Sequence, residues 1–238
     1  MSRLRRLGVA YLGALSLLQA GCPADPPPPP ACTLAYLGDP AQPMQIELFY
    51  LPVGDGPSFG VKGGAAPQDL TACGPVDIVQ PPQGTRVLFV GARANNLDPC
   101  NASLTTALRD PATNAIVGSP DIRSTVLVGI AGRPGWGETP ASGDNENGFA
   151  NVGNMQVCPN FEGTRDIQQQ PWLLEVDLKD RSGKKGQVLQ RVFPRCAVGD
   201  ATCECTCQAG WTAMKCAGVI TWPQSPDAGA CFPGLDGG

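Results

Sequence analysis

The hydrophobic and polar residues of this 238-residue chain alternate with a period of two in several short stretches. The clearest is 172–179 (WLLEVDLK), in which apolar and charged residues alternate before the polar turn DRSGKKG and a returning stretch at 187–193. The same alternation occurs in IELFY at 46–50, whereas VLFVGA at 87–92 is apolar throughout. Alternation of this kind is typical of half-buried strands, and a continuous apolar run is typical of a central strand.

Eight or so short strands are predicted in this way, and no segment has the periodicity of an amphipathic helix. The remaining candidates are 33–37, 76–79, 102–110 paired with 115–118 through the turn PATN, and 122–131. This succession predicts an all-β fold, namely a β-sandwich that is immunoglobulin-like in the broad sense, followed by a small disulfide-rich C-terminal segment. The cysteine–tryptophan–cysteine spacing of antibody domains is absent, so a jelly roll or a bent barrel stays open as the alternative.

The sandwich is expected to span 32–195 and to carry one long loop at 132–170. Loops of this length are either functional or disordered. This one mixes aromatic rings, which stack on sugar rings, with amides and carboxylates, which bind sugar hydroxyls. The candidate ligand-binding residues are Trp136, Asp144, Glu146, Asn147 and Phe149. The alternative is an irregular excursion whose glycines and asparagines satisfy turns.

The run GDNENG in this loop does not fit an EF-hand, because Gly143 falls where a ligand oxygen is needed. A calcium loop of another type, using Asp144 and Glu146, stays open. No metal site is assigned from the sequence.

The first 21 residues have the features of a secretory signal peptide. Three arginines precede a twelve-residue apolar run at 7–18, and small residues follow before Cys22. At about 1.5 Å per residue such a run reaches about 18 Å, which is too short to cross a bilayer. We therefore expect residues 1–21 to be removed.

The stretch LLQAGC at 17–22 resembles the lipobox of bacterial lipoproteins, in which small residues precede a cysteine. The resemblance implies that the chain is cut before Cys22 and that acyl chains such as palmitate are attached there. It also implies a lipid-anchored protein of the bacterial cell envelope, and Pro23 in place of the aspartate that signals inner-membrane retention favours the outer membrane. The alternative is an ordinary signal peptide cut near Ala20, with a secreted or periplasmic product.

A proline run follows directly, so that 22–31 is interpreted as an anchor cysteine and a stalk. Pro26 to Pro30 donate no backbone hydrogen bonds and favour the extended polyproline II form. A stiff spacer of this kind holds a folded body away from a membrane surface.

Charge and composition exclude several classes of function. Without residues 1–21 the chain has 14 basic and 21 acidic side chains, a net charge of −7, which does not suit binding to nucleic acid. The sequence has no histidine, which excludes Ser-His-Asp and Cys-His catalysis and removes the commonest zinc ligand. We therefore predict no catalytic residues, no cofactor and no enzymatic activity.

The eleven cysteines become an even set of ten once Cys22 carries lipid. Disulfides persist in the oxidising envelope of an exporting bacterium. The candidates are Cys32, Cys73, Cys100, Cys158, Cys196, Cys203, Cys205, Cys207, Cys216 and Cys231. Four lie in the sandwich and six in the tail at 196–238, so each part could close its own bridges, and no pairing is assigned.

The tail contains CTCQAGWTAMKC at 205–216, which resembles the closing half of an EGF-like module. Cys203, Cys205 and Cys207 could instead supply thiolates to copper(I) or zinc. Disulfides to separate partners are the interpretation that we favour.

The function predicted from these features is that of a cell-envelope lipoprotein displaying a disulfide-stabilised β-sandwich as a non-catalytic binding or structural module. Its partners would be the membrane, through Cys22, and a protein or a glycan, but no nucleic acid. One alternative is a carbohydrate-binding or adhesin-like module that uses loop 132–170. A second is a copper or redox protein that uses the CxCxC cluster.

Overall fold

A computed structural model describes residues 32–52, 66–81, 84–141, 151–160, 165–168 and 170–212 of the chain. All of them belong to the second of two units into which the chain divides, 32–238. The predicted signal peptide, Cys22 and the proline stalk lie outside the described residues, as do Cys216 and Cys231. Among the described helices, none is long and apolar enough to span a bilayer.

The described part of the chain is nearly all β, which confirms the predicted class. Its strands are β1 Gln45–Tyr50, β2 Gln68–Asp69, β3 Gly74–Val79, β4 Arg86–Asn95, β5 Ala102–Arg109, β6 Ile116–Thr125, β7 Val128–Gly129, β8 Trp136–Glu138, β9 Gly153–Cys158, β10 Trp172–Lys179 and β11 Lys185–Arg195. One short helix, α1 Ala201–Thr206, follows them.

The strands form one continuous hydrogen-bonded arrangement in the order β2-β1-β4-β3-β11-β10-β5-β6-β9. β9 also pairs with β4, so the sheet closes on itself, and β8 pairs with both β4 and β7. Among these described strands the pairings are antiparallel except that of β3 with β11, which is parallel.

The core forms because side chains of successive residues point to opposite faces of a strand. On β10 the alternate residues Trp172, Leu174, Val176 and Leu178 are buried and face the interior. They share one cluster with buried residues of the opposite strands, such as Leu88 and Val90 of β4. The alternation in 172–179 and the turn to β11 are therefore as the sequence predicts.

The prediction of a single loop over 132–170 needs correction, because this stretch contains β8 and β9. β9 buries Met155 and Val157 against the core while Asn154 and Gln156 face outward. The period-two signal is present in GNMQVC, but it is short and lies between glycine- and asparagine-rich segments. The predicted strand 122–131 also differs, since β6 is a single strand that ends at Thr125.

Disulfides hold the fold together, as expected. The pairs are Cys32–Cys100, Cys158–Cys207 and Cys196–Cys203, and Cys73 and Cys205 are also disulfide-bonded.

The Cys158–Cys207 bridge crosses from the sheet to the tail, so the two parts do not close their bridges separately. The tail segment lies along the residues that follow β9. The amide N–H of Asn160 donates to the carbonyl of Thr206, and that of Ile167 donates to Cys207. No pairing was assigned from the sequence. The even numbers of cysteines on either side of residue 196 allowed each part to close its own bridges, but the tail docks beside β9 and one bridge joins the two parts.

Candidate functional site

The outer surface of β1, β4 and β8 carries a dense set of charged and aromatic side chains. Cross-strand register places Glu47 of β1 beside Arg93 of β4, and Arg93 beside Glu138 of β8. We call this set the arginine–aromatic face; its members are Glu47, Phe49, Asp69, Arg93, Arg133, Trp136 and Glu138.

Arg93 lies at the centre of the face. Its guanidinium pairs with Glu138 at 3.1 Å and with Asp69, and its Cζ atom lies 5.1 Å from the centre of the Phe49 ring. Burial opposes the charge, but the hydrogen bonds to Asp69 and Glu138 outweigh it and raise the pKa of Arg93 above its ordinary value. Arg93 is therefore a fixed positive charge clamped between two strands.

Phe49 forms the floor beneath Arg93. Its side chain is fully buried, although it lies on the outer side of β1, and it packs in a small second cluster with Val152. The ring fits because residue 91 on the neighbouring strand is glycine; a Cβ atom on Gly91 would overlap it. The Phe49 ring thus occupies the space that a side chain at position 91 would fill.

Arg133 makes a second cation–aromatic stack at the edge of the face. Its guanidinium donates two hydrogen bonds to the carboxylate of Glu47, at 2.7 and 2.8 Å, and its Cζ atom lies 4.1 Å from the centre of the Trp136 ring. The hydrogen bond from Arg133 lowers the pKa of Glu47, so that this carboxylate stays ionised.

A tight turn presents Arg133 to the ring. The amide of Trp136 donates to the carbonyl of Arg133, and Gly135 adopts a φ of +78°, which glycine tolerates best. Gly137 faces the interior against Leu127, and therefore Trp136 projects outward.

The side chains of this face are suited to binding a partner. Both arginines and the carboxylates Glu47, Asp69 and Glu138 are already engaged in ion pairs within the described structure. Aromatic residues and arginine are enriched at the centres of protein interfaces. Side chains that are already ordered lose little entropy on binding. A pre-ordered array of this composition suits docking of a partner.

The predicted ligand-binding residues divide into two groups. Trp136 lies half-buried on the arginine–aromatic face, with the Arg133 guanidinium against its ring. Asp144, Glu146, Asn147 and Phe149 lie outside the described residues.

Sequence reasoning missed the other six members of the face, which are Glu47, Phe49, Asp69, Arg93, Arg133 and Glu138. The alternation in IELFY marks Glu47 and Phe49 as outward-facing, but nothing in the sequence shows that β4 and β8 lie beside them.

A second surface lies on the outer side of β5, β10 and β11. It is an open groove of about 510 Å³, lined by Ser103, Thr105, Asp177, Leu178, Lys179, Lys185, Gly186 and Gln187. Two exposed apolar residues flank it, Ile122 and Leu189, with 71% and 55% of their surface accessible. The groove is open to solvent and is lined by both polar and apolar side-chain surface.

The three cysteines considered as soft-metal ligands are all disulfide-bonded. Cys203 is bonded to Cys196, Cys207 is bonded to Cys158, and Cys205 is also in a disulfide. Metals bind the thiolate form of cysteine, so this oxidation state does not offer the ligand set that a CxCxC copper site would use. The sulfurs are nevertheless close together, with Cys203 Sγ and Cys207 Sγ 4.0 Å apart.

Comparison with known proteins gives no relative: no family model, no curated protein and no solved structure matches the chain.

Proposed function

We propose that this protein is an extracytoplasmic lipoprotein of the bacterial cell envelope, anchored through Cys22, whose body is a non-catalytic binding or structural module. One observation carries the proposal. All eight cysteines of the described residues are disulfide-bonded, and bonds of this kind form and persist outside the cytosol. The signal-like residues 1–21 and the lipobox-like LLQAGC agree with that compartment.

The finer architecture that we propose for the body is a flattened, sandwich-like one. β10 pairs with β11 along its whole length, and β1 pairs with β4 in the same way. The connections that close the sheet are short by comparison: within the described residues, β6 meets β9 at Ser119 and Gln156, and β3 meets β4 through two residue pairs. Two well-paired sheets joined at narrow corners would enclose the core between them.

We place the binding surface on the arginine–aromatic face. Its charged side chains are held by ion pairs, and a disulfide-locked body limits their movement. A ligand therefore meets a preorganised surface and loses little entropy in ordering it. The lack of histidine and the mutual pairing of the face's charges support a non-catalytic role.

A protein partner is the first candidate, and a glycan is the second because Trp136 supplies an aromatic ring among carboxylates. Screening the mature protein against a glycan array and against envelope proteins separates the two. Trp136→Ala should lower binding at least tenfold for either partner, whereas Ile122→Ala, on the opposite sheet, should leave it unchanged. If the Trp136→Ala variant still binds the partner as well as the wild type, the arginine–aromatic face is not the binding surface.

The anchor has its own test. Cells supplied with labelled palmitate should label the wild-type protein and the Cys32→Ser variant, because Cys32 is a disulfide partner of Cys100. Cys22→Ser should lose both the label and the membrane association. A Cys22→Ser protein that stays in the membrane fraction contradicts lipid anchorage at this residue.

A further inference from the structure

The two disulfides at the junction of sheet and tail are neighbours, and we infer that they form one thiol–disulfide exchange centre. Its substrate is a small thiol, which enters at Cys196. The Cys203 thiolate that is released then attacks Cys207, and Cys158 becomes the free thiol. We call the pairs Cys196–Cys203 and Cys158–Cys207 the exchange centre.

The sulfur atoms are arranged for this transfer. The Sγ atoms of Cys196, Cys203 and Cys207 all lie within 4.8 Å of one another, and those of Cys203 and Cys207 are 4.0 Å apart. A thiolate formed on Cys203 therefore needs to move little to attack the sulfur of Cys207. Exchange proceeds by attack of a thiolate on a disulfide sulfur, so close approach is its first requirement.

Burial decides the direction of the transfer. Cys203 and Cys207 are fully buried, whereas Cys196 is half-buried and follows the exposed Arg195. Two residues further on, Val198 has 97% of its surface accessible. A thiol from solvent thus reaches Cys196 more readily than the other two cysteines, and a small thiol fits the half-buried sulfur better than a bulky one.

The reaction balances in two steps. In the first, an external thiolate forms a bond to Cys196 Sγ, the Cys196–Cys203 bond breaks, and the electron pair leaves on Cys203. In the second, the Cys203 thiolate forms a bond to Cys207 Sγ, the Cys207–Cys158 bond breaks, and Cys158 leaves as a thiolate that takes a proton from water. One thiol is consumed and one is released, and the number of disulfides does not change.

The product bridge meets the Cα-distance requirement of a disulfide. Cys203 and Cys207 are one helical turn apart, and the Cys207 amide N–H donates to the Cys203 carbonyl at 3.1 Å. Residues four apart in a helix have Cα atoms about 6 Å apart, which lies within the range that disulfides span.

The exchange also changes what the bridges hold. Cys158–Cys207 ties the tail to β9, whereas a Cys203–Cys207 bridge lies within the tail alone. Contacts between tail and sheet that do not involve these four cysteines, such as the Arg86–Asp200 ion pair at 2.6 Å, are not changed by the exchange. Thiol exchange would therefore remove the Cys158–Cys207 tie between tail and sheet.

The first experiment places a free thiol in the centre. Cys196→Ala leaves Cys203 unpaired, and its position after equilibration is read by acid quenching, alkylation and peptide mapping. We expect at least a tenth of the molecules to carry the alkyl label on Cys158 and a Cys203–Cys207 bridge. Below the thiol pKa, the rate should rise about tenfold per pH unit, because the thiolate is the attacking species.

The matched control is Cys32→Ala, which leaves Cys100 unpaired; neither cysteine belongs to the sulfur cluster of the exchange centre. Its label should stay on Cys100. Label found solely on Cys203 in Cys196→Ala overturns the inference.

A second experiment uses the wild-type protein and does not depend on the folding of any variant. Incubation with reduced glutathione, the small thiol probe, should give a glutathione adduct on Cys196 and an alkylatable thiol on Cys158. An adduct on Cys196 with the free thiol remaining on Cys203, or no adduct on Cys196 at all, contradicts the exchange centre.

Discussion

The Cζ atom of Arg133 lies 4.1 Å from the centre of the Trp136 ring. The same guanidinium donates two hydrogen bonds to the carboxylate of Glu47. A carboxylate on β1 therefore fixes an arginine that covers a tryptophan on β8, although β1 and β8 do not pair with each other. These contacts hold the side chains of Arg133 and Trp136 in fixed positions on the arginine–aromatic face.

Removing the arginine should uncover the ring. In Arg133→Ala we expect acrylamide to quench tryptophan fluorescence more strongly than in the wild type, and the increase should vanish when Trp136→Phe is added. Arg181→Ala, which removes an exposed arginine paired with Asp98, serves as the control and should leave quenching unchanged. Equal quenching in Arg133→Ala and wild type contradicts the stack.

The same contact should respond to acid. Because Arg133 lowers the pKa of Glu47 below 4.5, the ion pair is complete above that value. It is lost as the pH falls through the folded-state pKa of Glu47. Tryptophan quenching in the wild type should rise over that acid range, whereas Glu47→Gln should show the higher quenching already at neutral pH. Tryptophan quenching in the wild type that does not change with pH would contradict this prediction.

Gly91→Ala tests the seat of Phe49. The added methyl group overlaps a fully buried ring, and overpacking of this kind costs about 1–3 kcal/mol in the free energy of unfolding. The matched control is Gly129→Ala, where the new Cβ meets open space and the change should stay within about 0.5 kcal/mol. Urea unfolding with the disulfides intact measures both, and equal values for the two variants are incompatible with the packing described.

Asp180 should make the fold sensitive to strong acid. This buried carboxylate accepts hydrogen bonds from the Ser182 hydroxyl at 2.6 Å and from the amides of Lys184 and Asp98 at 2.9 and 3.1 Å. Burial alone would raise its pKa, but these bonds outweigh burial and hold the pKa below its usual 3.8. Its stabilising contribution is therefore present above about pH 4 and is lost as the pH falls through the folded-state value.

The variant Asp180→Asn should accordingly cost about 1–3 kcal/mol at neutral pH, because an amide N–H₂ would face a backbone donor. Its loss of stability between about pH 4 and pH 2 should be smaller than that of the wild type. Asp177→Asn, on the outer face of β10, is the control. If the free energy of unfolding falls equally with pH in Asp180→Asn and in the wild type, the Asp180 carboxylate does not stabilise the fold in the way described.

The disulfides should differ in their effect on stability according to the loops that they close. Cys32–Cys100 joins residues 68 apart, and Cys196–Cys203 joins residues 7 apart. Loop-closure entropy alone assigns about 4 kcal/mol to the first and about 2 kcal/mol to the second. We expect replacement of the Cys32–Cys100 pair by alanine to lower the free energy of unfolding in urea more than replacement of the Cys196–Cys203 pair. The reverse order would contradict stabilisation by loop-closure entropy.

The fold class was predictable because the relevant signal is local. WLLEVDLK alternates cleanly, and the structure buries Leu174 and Val176 where the pattern places them. β9 was not predicted, since the alternation in its six residues GNMQVC consists of Met155 and Val157 alone. A strand that short is recognised only once its neighbours, β4 and β6, are known.

The site was predictable only in part, because it depends on which strands become neighbours. Trp136 was selected from its residue type, and the structure places it in an ordered polar surface. Arg93 and Glu47 stand far apart in sequence from Glu138 and Arg133, their partners. The Cys158–Cys207 pairing was hidden for the same reason, as it follows from the docking of the tail beside β9.

Intact mass of the native protein extracted from membranes tests the central claim most directly. A chain that begins at residue 22 should carry the added mass of its acyl groups and lack ten hydrogen atoms, since ten remaining cysteines would form five disulfides. Recovery of a water-soluble chain without acyl groups and with its thiols reduced would contradict an envelope-anchored, disulfide-locked body.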